Sequence, residues 1–180
     1  MKKIKTLSYL LTPDAMFEKF DEISPEFLLS KNITALLIDI DNTLAPYEQD
    51  LPDERIISYF KNLTDAGIKA TLVSNNNEER VTLFNSLLGL RAYAKCGKPS
   101  KKMLLLAMKE MESSTENTAA IGDQLLTDAL GAHLVGIPAF IVPPINDKKT
   151  LFFKFKRALE RPYIKRYVKL QNKNTLKEKL

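Results

Sequence analysis

Five short apolar runs recur along the chain, with amphipathic segments between them. They cover Thr34–Ile40, Lys69–Ser74, Arg91–Ala94, Thr118–Gly122 and Ala139–Val142. Ala35-Leu36-Leu37-Ile38 contains no polar position, and Phe140-Ile141-Val142 is equally uniform. A strand with one wet face alternates, whereas a strand covered on both faces does not. These runs therefore predict a parallel sheet with helices on both sides. The segments between them read as helices. Pro52–Ala66 sets Ile56, Ile57, Phe60 and Leu63 on one face and stops at Gly67. Asn77–Leu88 ends before Gly89, Ser100–Met111 opens after Pro99, and Gln124–Leu134 follows. Alternating strand and helix predicts an α/β fold, a Rossmann-like three-layer sandwich with a mainly parallel sheet. Residues 1–30, punctuated by Pro13 and Pro25, read as a helical lead-in.

The chain has 180 residues, enough for one domain, which we expect over residues 1–150 with a basic amphipathic tail over 151–180. One cysteine (Cys96) and one histidine (His133) exclude a disulfide scaffold and argue against a zinc site. No stretch approaches the roughly 18 consecutive apolar residues of a membrane span. The basic start Met1–Lys5 leads into Leu7–Leu11, but Pro13 and Asp14 follow with no small-residue cleavage site, so the expected location is the cytoplasm. The net charge is +5, yet residues 151–180 hold ten Lys/Arg against two Glu, which leaves the body mildly acidic. Such a tail fits an anionic partner, and it equally fits a solvated terminal helix. Phe152, Phe155 and Leu159 share one helical stripe, as do Tyr163, Ile164 and Tyr167, and Pro162 is expected to split the segment into two short helices.

The candidate chemistry sits where the runs end. Asp39-Ile40-Asp41-Asn42-Thr43 closes the first, and strand alternation sets Asp39 and Asp41 on one side. Ligands of parallel sheets bind beyond the carboxyl ends of strands. Two carboxylates there repel each other, and a hard divalent cation such as Mg²⁺ would offset the cost. Ser74 and Asn75 end the second run, where a hydroxyl and backbone N–H groups suit phosphate oxygens; Ser74 equally suits a helix cap. Lys98 precedes Pro99 at a helix start, either as a solvated residue or as a point charge for phosphate. Gly122-Asp123-Gln124-Leu125-Leu126-Thr127-Asp128 ends the fourth run. Asp123 there is either a third metal-facing carboxylate or an N-cap, and Asp128 lies about one turn further on.

Together and in this order, these motifs resemble the haloacid dehalogenase superfamily of phosphohydrolases. The matches are the apolar run into Asp39-Ile40-Asp41-Asn42-Thr43 at 36–43, Leu72-Val73-Ser74-Asn75, Lys98-Pro99, and the segment 122–128. Their forms look most like the YqeG-like branch of subfamily IIIA, which is similar to mitochondrial-type phosphatidylglycerophosphate phosphatases. The resemblance implies Asp39 as nucleophile, forming an aspartyl-phosphate, and Asp41 as general acid and then base. It implies Mg²⁺ held by Asp39, the Asp41 backbone carbonyl and Asp123, with Asp128 orienting groups around the metal. Thr43, Ser74, Asn75 and Lys98 would hold the transferring phosphoryl group. One departure stands out: Gly131-Ala132-His133-Leu134-Val135-Gly136 carries His and Leu where the branch reads like Asn and Arg. His133 itself reads as a helix-end residue rather than a catalytic one.

Spacing bears on the substrate. Asp41 and Ser74 are 33 residues apart, and Ser74 and Lys98 are 24 apart. Each interval is consumed by one helix and one strand, leaving no room for an inserted cap domain. A site without a cap accepts bulky substrates. The basic, aromatic tail fits an anionic membrane surface, such as its inner face, and the family resemblance implies phosphatidylglycerophosphate as the phosphorylated lipid head group. The alternatives are a phosphatase for a soluble nucleotide or phosphoprotein, or a non-catalytic scaffold for RNA or a protein. The four acidic and basic motif residues, Asp39, Asp41, Lys98 and Asp123, argue against the scaffold, and nucleic acid is not the expected partner.

Overall fold

The computed structural model describes residues 6–146 and 150–177. The residues at the two extreme ends of the chain, including the basic start and the last three of the tail, lie outside the described part. Six strands form one parallel sheet: β1 (Ala15–Met16), β2 (Ala35–Ile38), β3 (Lys69–Val73), β4 (Arg91–Tyr93), β5 (Thr118–Gly122) and β6 (Ala139–Ile141). Their spatial order is β1-β6-β5-β2-β3-β4, which puts β2 and β5 at the centre. Every residue of β2, β5 and β6 is buried, as the uniformly apolar runs predict.

The helices are α1 (Leu7–Leu10), α2 (Pro25–Ser30), α3 (Glu54–Asp65), α4 (Glu78–Asn85), α5 (Lys101–Glu110), α6 (Leu130–Val135) and α7 (Leu151–Lys177). Two apolar layers cover the sheet. One gathers Leu36, Ile38, Ile56, Phe60, Leu63 and Phe84. The other gathers Leu37, Leu104, Met108, Ala120 and Ala132. The connection from β2 to β3 holds a loop and α3, and the one from β3 to β4 holds α4, so neither carries a cap domain.

Register fixes the level of the site. Ile38 pairs with Leu72 on one side and with Ile121 on the other. Asp39, Ser74 and Asp123 therefore leave the sheet within about one residue of the same height.

Three elements differ from the sequence expectation. Inside the lead-in, Ala15 and Met16 form an edge strand beside β6, bonded through Asp14 N–H to Ala139 O (3.0 Å) and Phe17 N–H to Ile141 O (3.0 Å). Two residues are too few to leave a periodic signal. The segment after Gly122 opens with a wide π-helical turn, Leu125–Ala129, before α6 begins. Third, the tail is one helix that runs through Pro162 instead of breaking there. A proline removes one helix hydrogen bond, but this helix is clamped from the side. Tyr163 and Ile164 pack on the second apolar layer, and the Tyr167 hydroxyl accepts the Met16 N–H at 3.1 Å. Phe155 stays 62% exposed and Leu159 45% exposed, so these two members of the first predicted stripe face outward; the Phe152 side chain lies outside the described residues.

His133 stands in the last turn of α6, as the sequence predicts, and is buried there. Its Nδ1 lies 2.7 Å from Leu10 O and its Nε2 2.7 Å from Asp14 Oδ2. Asp14 Oδ2 also accepts the Ala139 N–H at 2.8 Å. One ring thus ties the lead-in to α6 and the sheet edge. His133→Ala is expected to cost about 1–3 kcal/mol by removing the ring that bridges Leu10 O and Asp14, read as a Tm lower by about 2–4 °C per kcal/mol in thermal unfolding.

Candidate active site

Strand ends and tight turns deliver the site residues. Asp39 follows β2 directly. After it, Ile40 O receives the N–H groups of Thr43 (3.3 Å), Leu44 (2.9 Å) and Ala45 (3.2 Å). Asn42 supports this turn at φ +66°, a left-handed conformation that asparagine tolerates better than most residues. The turn folds Thr43 back so that its Oγ1 donates to Asp39 Oδ2 at 3.3 Å. Beyond β3, Ser74 Oγ accepts the Asn76 N–H at 3.0 Å, while the cap of α4 is Asn77, not Ser74. Asn75 clamps Lys98: its Oδ1 accepts the Lys98 N–H at 2.7 Å and its Nδ2 donates to Lys98 O at 3.1 Å.

Lys98 is buried, not solvated. Its ammonium donates to Asp39 Oδ1 at 2.7 Å and to Asp128 Oδ1 at 2.6 Å. Burial pulls its pKa down, but the Asp128 and Asp39 carboxylates reverse that and hold it above its usual range. Asp39 moves the other way. Burial raises its carboxyl to about 7 against the attraction of Lys98, and the Asp128 and Asp41 charges add to the rise. Asp123 is likewise raised well above the ordinary carboxylate range by burial and by Asp128 and Asp39, opposed by Arg157. One carboxylate oxygen from each of Asp39, Asp123 and Asp128 lies within 4.8 Å of the others. Asp123 Oδ1 is buried and makes no hydrogen bond among the described residues. Three gathered carboxylates, one with an orphaned buried oxygen, form a hard-oxygen donor set that suits a divalent cation such as Mg²⁺.

Asp41 is held apart from that trio. Arg80 Nε donates to its Oδ1 at 3.1 Å and Asn76 Nδ2 to its Oδ2 at 3.0 Å. Arg80 is buried, donates from Nη1 to Asp50 O at 3.2 Å, and sets its guanidinium carbon 5.0 Å from the Phe84 ring centroid.

A cavity of about 250 Å³ joins these groups. Asp39, Asp41, Ser74, Asn75 and Lys98 line it, with Tyr47, Asn76, Gln124, Thr127, Phe153 and Lys156. The structure thus brings all eight predicted residues together, with Thr43 behind Asp39 and Asp123 and Asp128 beside it. It also adds residues that the sequence did not single out. Arg80 and Asn76 stand on and before α4 with no motif to mark them. Phe153 and Lys156 arrive from α7, and the Phe153 ring meets Tyr47 edge to face at 6.4 Å. The site lacks a cap domain, yet the C-terminal helix covers part of its rim.

Gly122 makes room for Asp128. A Cβ there would lie 2.4 Å from both Cβ and Cγ of Asp128. Gly122→Ala is expected to push Asp128 off Lys98 and to cost about 1–3 kcal/mol by overpacking, measured by denaturant unfolding. The raised Asp39 also sets a pH trend. Its carboxyl holds a proton in the folded chain up to about 7, while the unfolded chain releases it near 3.8. Between these values the folded state binds more protons, so this group's contribution to stability falls as pH rises. In EDTA, Tm is expected to fall from pH 5 to pH 8, and added Mg²⁺ is expected to raise Tm more at pH 8 than at pH 5.

Comparison with known proteins agrees with this geometry. A family model for haloacid dehalogenase-like hydrolases matches residues 12–136. The chain is 37% identical over 155 residues to the probable phosphatase YqeG of Bacillus subtilis (strain 168), covering 86% of this chain and 90% of that protein. Among solved structures, the cobalt-bound deoxy-D-mannose-octulosonate 8-phosphate phosphatase of Haemophilus influenzae aligns with a TM-score of 0.54 at 20% identity, over 70% of this chain and 75% of that one. An uncharacterized protein from Listeria monocytogenes serotype 4b aligns with a TM-score of 0.52 at 15% identity, over 66% and 85% of the two chains. These two likenesses concern the fold; the family match and the Bacillus relative carry the assignment. The chain belongs to the haloacid dehalogenase-like hydrolases, as an enzyme of the phosphatase kind.

Proposed function

We propose that the chain is a Mg²⁺-dependent phosphomonoester hydrolase that acts through an aspartyl-phosphate on phosphatidylglycerophosphate at a membrane surface. Asp39 Oδ attacks phosphorus in line with the leaving oxygen, and the bond from phosphorus to that oxygen breaks as the new one forms. Asp41 donates a proton to the departing alkoxide. It then takes one from the water that attacks the phosphorus of the aspartyl-phosphate, which frees Asp39 and releases inorganic phosphate. Arg80 and Asn76 hold the Asp41 carboxylate in one orientation for both transfers. Lys98, Thr43 and Ser74 surround the phosphoryl oxygens, and Asn75 contributes by holding the Lys98 main chain. Asp39, Asp123 and the Asp41 backbone carbonyl would hold Mg²⁺, with Asp128 beside them. When bound, Mg²⁺ supplies positive charge next to Asp39 and the phosphoryl oxygens.

The lipid's identity comes from the family resemblance, and α7 supports placing the substrate at an anionic surface. Its inner face lends Phe153 and Lys156 to the cavity wall, while its outer face carries the exposed Phe155 and Leu159 among Lys154, Arg161 and Lys165. A helix with apolar and cationic residues turned outward suits an anionic surface, where each Lys or Arg is worth about 1 kcal/mol. The same helix would then hold the cavity mouth at the level of lipid head groups. Among the described residues no helix is long and apolar enough to cross a membrane, so α7 would lie on the surface.

Phosphate release separates the readings. With Mg²⁺, the protein is expected to hydrolyse phosphatidylglycerophosphate in anionic vesicles faster than soluble phosphomonoesters, and Asp39→Asn to lower the rate by on the order of 10³-fold or more. Preference for a soluble nucleotide or sugar phosphate, unaffected by vesicles, would overturn the lipid assignment and leave the phosphatase. Full activity in Asp39→Asn would overturn the nucleophile.

A further inference from the structure

Arg157 and Glu160 stand on α7, in the most basic stretch of the chain, yet Arg157 reaches the carboxylate cluster and Glu160 the turn beside it. Arg157 Nη1 donates to the Asp123 backbone carbonyl at 2.8 Å, and Nη2 donates to Asp123 Oδ2. Nη1 also donates to Glu160 Oε2 at 2.9 Å. Glu160 is only 1% exposed, and its Oε1 accepts the Leu126 N–H at 3.1 Å, inside the turn that follows Asp123. Burying a carboxylate costs several kcal/mol unless fixed partners offset it. A helix that served only to meet a membrane would have no use for such a group on its inner face.

The contacts divide the two oxygens of Asp123. Oδ2 is taken by the guanidinium, whereas Oδ1 is buried and has no hydrogen-bond partner among the described residues. A carboxylate held through one oxygen presents the other in a fixed direction. Charge points the same way. When ionised, Asp39, Asp123 and Asp128 bring three negative charges, and Lys98 cancels one of them. Arg157 by itself would cancel a second and repel an incoming cation. Glu160, 2.9 Å from it, restores that charge. The cluster thus keeps a net charge of about two negatives, which a divalent cation neutralises.

We infer that Arg157 and Glu160 are positioning residues for the cation site. Glu160 fixes the guanidinium and cancels its charge, the guanidinium fixes Asp123 Oδ2, and Oδ1 is left for the cation. This rests on the reading above that a divalent cation binds beside Asp39 and Asp123. It makes the C-terminal helix part of the catalytic centre as well as a surface for lipid.

The test is Mg²⁺ binding to the full chain by titration calorimetry, with thermal unfolding in EDTA alongside. Partners that hold metal ligands typically change affinity 10–100-fold. Arg157→Ala is expected to raise the Mg²⁺ Kd by about that factor. Glu160→Gln keeps the shape but leaves the guanidinium charge uncancelled, and is expected to raise Kd at least roughly fivefold. Arg157→Lys, a point charge without the planar fork, is expected to recover only part of the affinity. A Kd within twofold of wild type in both Arg157→Ala and Glu160→Gln would overturn the inference, even if the Tm in EDTA fell, because a purely structural contact moves Tm alone. Tighter binding in Arg157→Ala would also overturn it, by making Arg157 a competitor of the cation. If Arg157→Ala does not fold, Glu160→Gln and Arg157→Lys decide by the same criterion. Wild-type protein that binds no divalent cation would remove the cation from the proposed function itself, a result distinct from wild-type binding that the variants leave unchanged.

Discussion

Lys98 sits between two buried carboxylates, and the rest of the site is arranged around that contact. A lone carboxylate in this position would be driven to its neutral form by burial, and three together more strongly still. The ammonium, 2.7 Å from Asp39 and 2.6 Å from Asp128, ties two of the carboxylates to one donor and opposes the rise that burial imposes on Asp39. Its own placement is secured by Asn75, whose amide grips both the N–H and the carbonyl of Lys98. Asp128 reaches the same ammonium only because position 122 has no side chain. A short motif at each strand end thus depends on one at another, and the parallel register holds them at one height.

Much of this was legible in the sequence, for physical reasons that vary by element. The central strands announce themselves because burial on both faces excludes polar residues, as in Ala35-Leu36-Leu37-Ile38. Asp39, Asp41, Ser74, Lys98 and Asp123 were legible because strand ends are where parallel sheets place their chemistry. Arg80 was not: it looks like any charged residue on an exposed helix until α4 packs it over Phe84 and against Asp41. Edge strand β1 escaped because its two residues are paired by neighbours far along the chain. The tail misled most. Pro162 reads as a helix breaker, and the charge run reads as a solvated or lipid-facing surface. The stripe of Tyr163, Ile164 and Tyr167 was legible and packs on the body, whereas the inward placement of Phe153, Lys156, Arg157 and Glu160 becomes visible only once that body is present.

The absence of an inserted cap does not leave the cavity bare. Tyr47 from the loop after β2 and Phe153 from α7 meet across its rim, and Lys156 stands with them on the wall. In the proposed function this places one face of α7 toward substrate and the other toward the surface in which substrate lies. The inferred roles of Arg157 and Glu160 would tie that helix to the cation site as well, so that docking and chemistry share one structural element.

The central claim is that Asp39 carries the phosphoryl group. The most direct measurement is acid quenching during turnover of a phosphomonoester with Mg²⁺, followed by mass spectrometry of the intact chain and its peptides. The account predicts one phosphoryl group, confined to the peptide that contains Asp39 and absent from Asp39→Asn. A phosphoryl group on a different residue, or rapid turnover by Asp39→Asn, would contradict it.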